Sequence, residues 1–67
     1  SGANLSGAKV HFADFSSANL RGAILDGADL WKADLTFADL TDASTNETKF
    51  ADVLLHKTQT GTAKIEP

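Results

Sequence analysis

Alanine recurs at every fifth position through most of this chain, and this period limits the possible folds more than any other feature. The nine alanines concerned are Ala3, Ala8, Ala13, Ala18, Ala23, Ala28, Ala33, Ala38 and Ala43. Two residues after each alanine there is usually a leucine or another large apolar residue, and the residue between them is usually Asp or Asn. The unit reads Ala–(Asp/Asn)–Leu–x–x, and we number its positions one to five from the alanine. A sustained repeat of this kind indicates units that stack on their neighbours.

Neither an α-helix nor a straight β-strand can use a five-residue period. A helix turns about 100° per residue, so five residues leave a drift of about 140° and the leucines form no stripe. In a straight strand the leucines would alternate between faces, because five is odd. A path that turns a similar corner every five residues would close after four units and rise by about 4.8 Å, one inter-strand spacing. The alternatives are an Ala/Leu-rich helix or a disordered linker, and glycines with many Asp, Asn, Ser and Thr residues disfavour the helix.

Residues 1 to 50 resemble the pentapeptide-repeat family, whose repeat is written A(D/N)LXX. The segments that match are ANLSG (3–7), ADFSS (13–17), ANLRG (18–22), ADLWK (28–32), ADLTF (33–37) and ADLTD (38–42), with looser copies at 8–12, 23–27 and 43–47. The resemblance implies an all-β fold, a right-handed quadrilateral β-helix of about 2.5 to 3 coils of twenty residues. It also implies that positions one and three point inward and the other three positions point outward.

The period then predicts the core and its vertical stacks. The predicted inward residues at position three are Leu5, Val10, Phe15, Leu20, Leu25, Leu30, Leu35, Leu40, Phe50 and Leu55. Val10 should stack with Leu30 and Phe50, and Phe15 with Leu35 and Leu55. Glycine at position five, as in Gly7, Gly22 and Gly27, suits a turn that needs a positive φ.

The repeat weakens after Phe50, and two registers are open there. The continuous register makes 53–57 an eleventh repeat with Leu54 pointing outward, whereas a motif at 51–53 would be out of step and require a bulge. We take the continuous register and expect a repeat domain at 1–57 and a C-terminal tail or cap at 58–67, in which Ile65 could fold back onto the stack. The ends of a solenoid expose apolar core and unpaired backbone. We therefore expect a piece of a longer solenoid, a processed chain, or copies stacked end to end.

The sequence predicts no catalytic, cofactor-binding or metal-binding residues. Cysteine is absent, and only His11 and His56 could offer nitrogen ligands, without carboxylates at ligand spacing. A net charge of −3 and a pI near 5 disfavour a basic nucleic-acid binder. No apolar run approaches the roughly 18 residues of a membrane span.

Large apolar residues at outward positions form the candidate interaction surface. They are Phe12, Trp31, Phe37, Ile24 and Leu54, together with His11. Exposed aromatic residues on a rigid face commonly mediate protein contacts. The open alternative is that these side chains cover one another or pack against the C-terminal tail.

Three functional hypotheses follow. The first is a non-catalytic structural or protein-interaction module, with a protein partner or end-to-end self-association. The resemblance implies relatives that are numerous in cyanobacteria and other bacteria, some of them directed to the thylakoid lumen or periplasm, so these compartments and the cytoplasm stay open. The second is a DNA mimic that binds DNA gyrase or topoisomerase IV, as in the quinolone-resistance branch of the family, although three coils span only roughly 14 Å. The third is a repeat domain of a larger protein.

Overall fold

The chain forms a stack of twenty-residue turns, which the computed structural model describes for residues 2–65. Successive turns are joined by parallel β-bridges between residues twenty positions apart. The bridges are Asn4–Ile24, Lys9–Asp29, Asp14–Asp34, Asn19–Asp39, Ile24–Ser44, Asp29–Lys49, Asp34–Leu54 and Asp39–Gln59. Each bridge is a single residue pair, and none within the described residues extends into a longer strand. The predicted twenty-residue register is confirmed.

Backbone hydrogen bonds at three of the five repeat positions join the turns vertically. The N–H of Lys49 at position two donates to the Ala28 carbonyl at 2.9 Å, and the N–H of Leu30 at position three donates to Lys49 at 2.9 Å. At position five, the N–H of Lys32 donates to the Ala51 carbonyl at 3.1 Å. Because the same bonds recur from unit to unit, they satisfy most of the backbone without a continuous strand.

Each unit ends in a turn whose fifth residue is left-handed. The carbonyl at position three accepts the N–H of the next position one, as between Leu25 and Ala28 at 2.9 Å. Gly7, Gly22 and Gly27 have φ angles of 70°, 68° and 72°, as the sequence predicts. Non-glycine residues share this conformation at Phe12, Ser17, Lys32, Phe37, Asp42, Glu47, Asp52 and Lys57, with φ from 53° to 63°. A positive φ at the third turn residue is the mark of a type II turn, and the vertical hydrogen bonds hold even bulky residues in it.

The Asp or Asn at position two caps the N–H of position four. Asp14 Oδ1 accepts the Ser16 N–H at 2.9 Å, and Asp39 Oδ1 accepts the Thr41 N–H at 3.0 Å. This side-chain bond to the backbone two residues later mimics a backbone turn. It gives the physical reason for the Asp/Asn preference, because the N–H of position four takes no part in the vertical hydrogen bonding just described.

Asp26 supplies the same cap from a neighbouring coil where position two lacks it. Ser44 occupies position two of its unit, and its hydroxyl does not accept the Asn46 N–H. Asp26 Oδ1 instead accepts the Asn46 N–H at 3.0 Å and the Ser44 hydroxyl at 2.6 Å. These bonds hold the pKa of Asp26 below its ordinary value, the Ser44 hydroxyl contributing most.

The core is a narrow column in the middle of the stack. The buried apolar residues are Leu20, Ala23, Leu25, Ala28, Leu30, Ala33, Leu35, Ala38, Leu40, Ala43 and Phe50. Fully burying one leucine side chain contributes about 1.5–3 kcal/mol. Leu5, Val10 and Phe15, which belong to the first coil, are only partly buried against this column, whereas Leu20 of the same coil is buried. The small alanines and large leucines therefore share the interior as the sequence predicts.

Leu55 departs from its predicted place in the core. Its side chain is 41% exposed, although it belongs to the same column as Phe15 and Leu35. The prediction is wrong in degree: within the described residues 2–65 no repeat stacks above Leu55, and it stays more open than Phe50 of the same coil, which is 2% exposed.

The C-terminal part continues the period beyond residue 57. The bridge between Asp34 and Leu54 confirms the continuous register and shows that the bulged alternative is wrong. The hydroxyl of Thr58, at position one, donates to the Leu35 carbonyl at 2.6 Å, and Ile65 packs against the core. The last turn differs, because Gly61 is left-handed (φ 55°) one residue earlier than the period requires.

The predicted boundaries also include Ser1, Glu66 and Pro67, which lie outside the described residues.

Candidate interaction surface

Three aromatic side chains form a cluster on two successive turns. Phe12 and Trp31 meet edge to face, with ring centroids 5.2 Å apart and an interplanar angle of 69°. His11 also meets Trp31 edge to face, at 5.6 Å and 77°. The Lys32 ammonium lies 5.1 Å from the Trp31 ring centroid, within range of a cation–π contact. The twenty-residue register explains the cluster, because it places residues 11–12 directly below 31–32.

Asp29 fixes the position of this cluster from the neighbouring bridge. His11 Nε2 lies 2.8 Å from Asp29 Oδ2, while Asp29 Oδ1 accepts the Trp31 N–H at 3.2 Å. The His11 hydrogen bond is the main cause of a lowered Asp29 pKa, and the Trp31 N–H and the nearby Lys49 charge act in the same direction. Asp29 also bridges Lys9 and Lys49, so charges of alternating sign lie along this column.

A second aromatic contact lies one turn further along the chain. Phe37 and His56 meet edge to face at 5.9 Å and 83°. Leu54 is 57% exposed in the bridge segment that precedes His56. From the sequence, His56 was expected only as a possible nitrogen ligand. Its spacing of about one coil from Phe37 was the signal that could have identified this contact.

Mutual packing covers only part of this apolar surface. Trp31, which contacts both His11 and Phe12, is 37% exposed, whereas Phe12 remains 66% exposed and Phe37 56% exposed. Ile24 lies apart from these groups, in the column between Asn4 and Ser44, and is 38% exposed. The structure therefore brings together three of the six predicted surface residues, His11, Phe12 and Trp31. Phe37 packs against His56, Leu54 lies in the bridge with Asp34, and Ile24 lies elsewhere.

The described residues show none of the groupings that chemistry at a metal centre requires. Within residues 2–65, no three histidine, aspartate or glutamate side chains are grouped so that they could hold a metal ion. A cleft of about 240 Å³ lies between 43–46 and 62–64 near the end of the stack, and small and polar turn residues line it. In the part of the chain that the structure describes, no helix is long and apolar enough to cross a membrane.

The stacked five-residue units define a repeat protein, and comparison with known proteins identifies the family. A family profile of pentapeptide repeats matches residues 1–22 and 13–50, in eight copies. The match covers most of the 67 residues, and the chain belongs to the pentapeptide-repeat family. A search of curated proteins returned no significant match.

Proposed function

We propose that this chain is a non-catalytic structural and protein-interaction module of the pentapeptide-repeat type. In this proposal residues 1–57 form the main part of a right-handed quadrilateral β-helix, and residues 58–67, which continue its path through one further bridge at Gln59, cap its C-terminal end. The four bridges in each twenty-residue coil, five residues apart, support a path with four sides. The packing of Ala63 and Ile65 against the core supports the cap.

The observation that carries the interaction role is the exposed aromatic cluster of Phe12 and Trp31 on a rigid backbone. The turns beneath both rings are joined by the Phe12 N–H, which donates to the Trp31 carbonyl at 2.9 Å. Because these turns are held in place, the rings lose little conformational freedom when a partner covers them. Trp and Phe also bury large apolar areas, and Trp is enriched among residues that dominate binding energy.

Selection of binding peptides from a random display library tests this proposal. Trp31 is the only tryptophan, so its fluorescence reports directly on binding at the cluster. We expect selected peptides to shift Trp31 emission and to lose most of their affinity for a Phe12→Ala variant. The matched control is Ile24→Ala, which removes an exposed apolar side chain from a different column and should leave binding unchanged. Peptides that bind both variants equally, or a selection that yields no binder, would refute the proposed role of the cluster.

End-to-end self-association is the other form of this proposal. Ala3 is exposed and Leu5 only partly buried in the first coil, and Leu55 is 41% exposed in the last. Sedimentation velocity over a range of protein concentrations distinguishes stacked copies from a monomer, and a Leu55→Lys variant should prevent stacking through the upper end.

A DNA mimic that binds gyrase or topoisomerase IV is the second candidate, and the stacked carboxylates of Asp14 and Asp34 favour it. The lysines on either side of Asp29 interrupt the negative surface, and the described part of the molecule extends only 23 × 21 × 17 Å. A gyrase supercoiling assay with added protein decides the matter. Inhibition at micromolar protein would favour the mimic over the module.

A further inference from the structure

One side of the stack combines exposed apolar groups with two carboxylates, those of Asp14 and Asp34, that form no salt bridge within the described residues. We call it the Asp34 face. It consists of the stacked bridge segments 13–15, 33–35 and 53–55, together with the turns at 11–12 and 31–32 that precede them and the turns at 16–17 and 36–37 that follow. Five of the six exposed large apolar side chains of the described chain lie in these segments: Phe12, Trp31, Phe37 and Leu54 at outward positions and Leu55 at an inward one.

These apolar side chains lie around the carboxylates rather than among them. Phe12 and Trp31 occupy the turns on one edge, and Phe37 occupies the turn on the other edge. Leu54 lies directly above Asp34 in the bridge column. A rim of this kind excludes water when a partner binds, and it strengthens the electrostatic contacts that it encloses.

The carboxylates of Asp14 and Asp34 lie on adjacent coils as bridge partners. Each uses Oδ1 to cap the N–H two residues later, at 2.9 Å in both cases. The pKa of Asp14 is lowered, mainly by the Ser16 hydroxyl, so this carboxylate is ionised at neutral pH. Like charges directly opposite each other across a bridge repel.

The Asp34 face differs in this respect from the neighbouring acidic positions. Asp39 is paired with Arg21 at 3.1 Å, and Asp29 is paired with His11 at 2.8 Å. Within residues 2–65, neither Asp14 nor Asp34 forms a salt bridge with a cation of this chain. No direct ion pair within residues 2–65 relieves the repulsion between them, and the one lysine on this face, Lys32, lies against Trp31 instead.

We propose that the Asp34 face binds a protein segment that places an arginine or lysine side chain between the carboxylates of Asp14 and Asp34 and packs apolar side chains against the aromatic edges. This inference rests on the proposed function and specifies the chemistry of the partner. One cation between two stacked carboxylates replaces a repulsion with two attractions. Arginine fits best, because its planar guanidinium can contact two carboxylates and also stack on an aromatic ring. A second copy of this chain fits poorly, because the chain carries a net charge of −3 and two such faces in contact would bring four carboxylates together.

The same display selection tests this inference through the amino-acid composition of the selected peptides. Their affinity is then compared between the wild type and a double variant that combines Asp14→Asn and Asp34→Asn. Asparagine keeps the capping oxygen, as Asn4 and Asn19 do for the N–H groups of Ser6 and Arg21 at 3.0 and 3.2 Å. The variant therefore removes charge and keeps the turn.

The matched control removes the same charge elsewhere, with Asp42→Asn and Glu47→Gln. Both positions are exposed and lie in turns outside the Asp34 face. Affinities are measured from Trp31 fluorescence at low and at physiological salt.

We expect the selected peptides to be enriched in Arg or Lys next to apolar residues. They should bind the Asp14/Asp34 double variant about tenfold more weakly and the charge control within about twofold of the wild type, and their affinity should fall with salt. Neutral or acidic peptides, or equal affinity for the double variant, overturn the inference and leave the interaction module intact. Failure to select any binder that responds to Phe12→Ala overturns the proposed function itself. A concentration-dependent dimer that the double variant abolishes also overturns the inference, because the occupant is then a second copy.

Discussion

The column of Phe15, Leu35 and Leu55 allows the same substitution to be compared at two levels of the stack. Leu35 is fully buried, whereas Leu55 is 41% exposed. Leu→Ala removes three carbon atoms, worth about 2.4 kcal/mol of transfer free energy at full burial, and an enclosed cavity raises the cost to about 3–5 kcal/mol. At Leu55 only about three fifths of the side chain is buried, so only that share of the transfer free energy is lost. Since the exposed site encloses no cavity, Leu55→Ala should lower the free energy of unfolding by about 1–1.5 kcal/mol.

Urea denaturation, monitored by circular dichroism and by Trp31 fluorescence, measures the loss of unfolding free energy for each of the two substitutions. A chain of this length is stable by only about 3–10 kcal/mol, so Leu35→Ala could leave too little folded protein to measure. The milder pair Leu35→Val and Leu55→Val then makes the comparison. The free energy of unfolding should fall with urea concentration at the same slope in every variant. A shifted denaturation midpoint then reports a change in stability alone.

Equal costs at Leu35 and Leu55 would refute the reasoning. Such a result would mean that Leu55 is covered in solution, either by residues that follow it or by another chain. A cost at Leu55 larger than at Leu35 would show that the order of burial along the column is wrong. Sedimentation of the wild-type protein under the same conditions separates cover by another molecule from cover within the chain.

Three further predictions address the core, the turns and the surface carboxylates. Leu30→Asp should prevent folding, because it places an unpaired charge in a column where the native side chain is 1% exposed, and circular dichroism should show an unfolded chain. Ser17→Gly should raise the melting temperature by roughly 2–8 °C, because glycine relieves the left-handed strain at φ 60°. The pKa of Asp39 is held below its ordinary value of 3.8, first by the Thr41 hydroxyl and N–H and then by Arg21. A lowered folded-state pKa stabilises the fold above the unfolded value, so the melting temperature should fall as the pH drops below about 4, and Asp39→Asn should make this fall shallower.

Each of these predictions has a neighbouring control. Trp31→Asp changes an outward position next to Leu30 and should leave the chain folded. Ser16→Gly alters the same turn as Ser17 at a residue without a positive φ, and it should lower the melting temperature rather than raise it. A melting temperature that is unaffected by acid, or an Asp39→Asn variant with the wild-type acid profile, would show that the capping bonds do not contribute to stability.

Much of the fold could be predicted from the sequence because one period governs it. The five-residue spacing places Leu25, Leu30 and their equivalents inward and fixes the twenty-residue register. Spacing does not show where the stack ends in space, so the exposure of Leu55 could not be read from it. It also predicted left-handed turns only at glycine. The rigid vertical hydrogen bonds impose the same φ on Phe12 and Phe37, overriding the preference of bulky residues.

The candidate surface was predictable in part. Large apolar residues at outward positions, such as Phe12 and Trp31, were expected to be exposed, and they are. The role of position two was missed, because the Asp or Asn side chain caps a backbone N–H that only the structure reveals. The difference between Asp34 and Asp39 also required coordinates. Both occupy the same repeat position, and only Asp39 has a cation within reach, at Arg21.

The vertical hydrogen bonds have a consequence for how the chain folds. Every such bond joins residues 19 or 21 positions apart. The loop that each one closes is therefore the same size throughout the chain, and its entropic cost does not grow as coils are added. Because no vertical bond can form within a single coil, we expect two adjacent coils to form the nucleus together and later coils to add to this template. Folding should begin with the coil that holds Leu25 to Leu40 and one of its neighbours, where the column is most buried, and spread toward both ends, so a longer array of these repeats need not fold more slowly than this one.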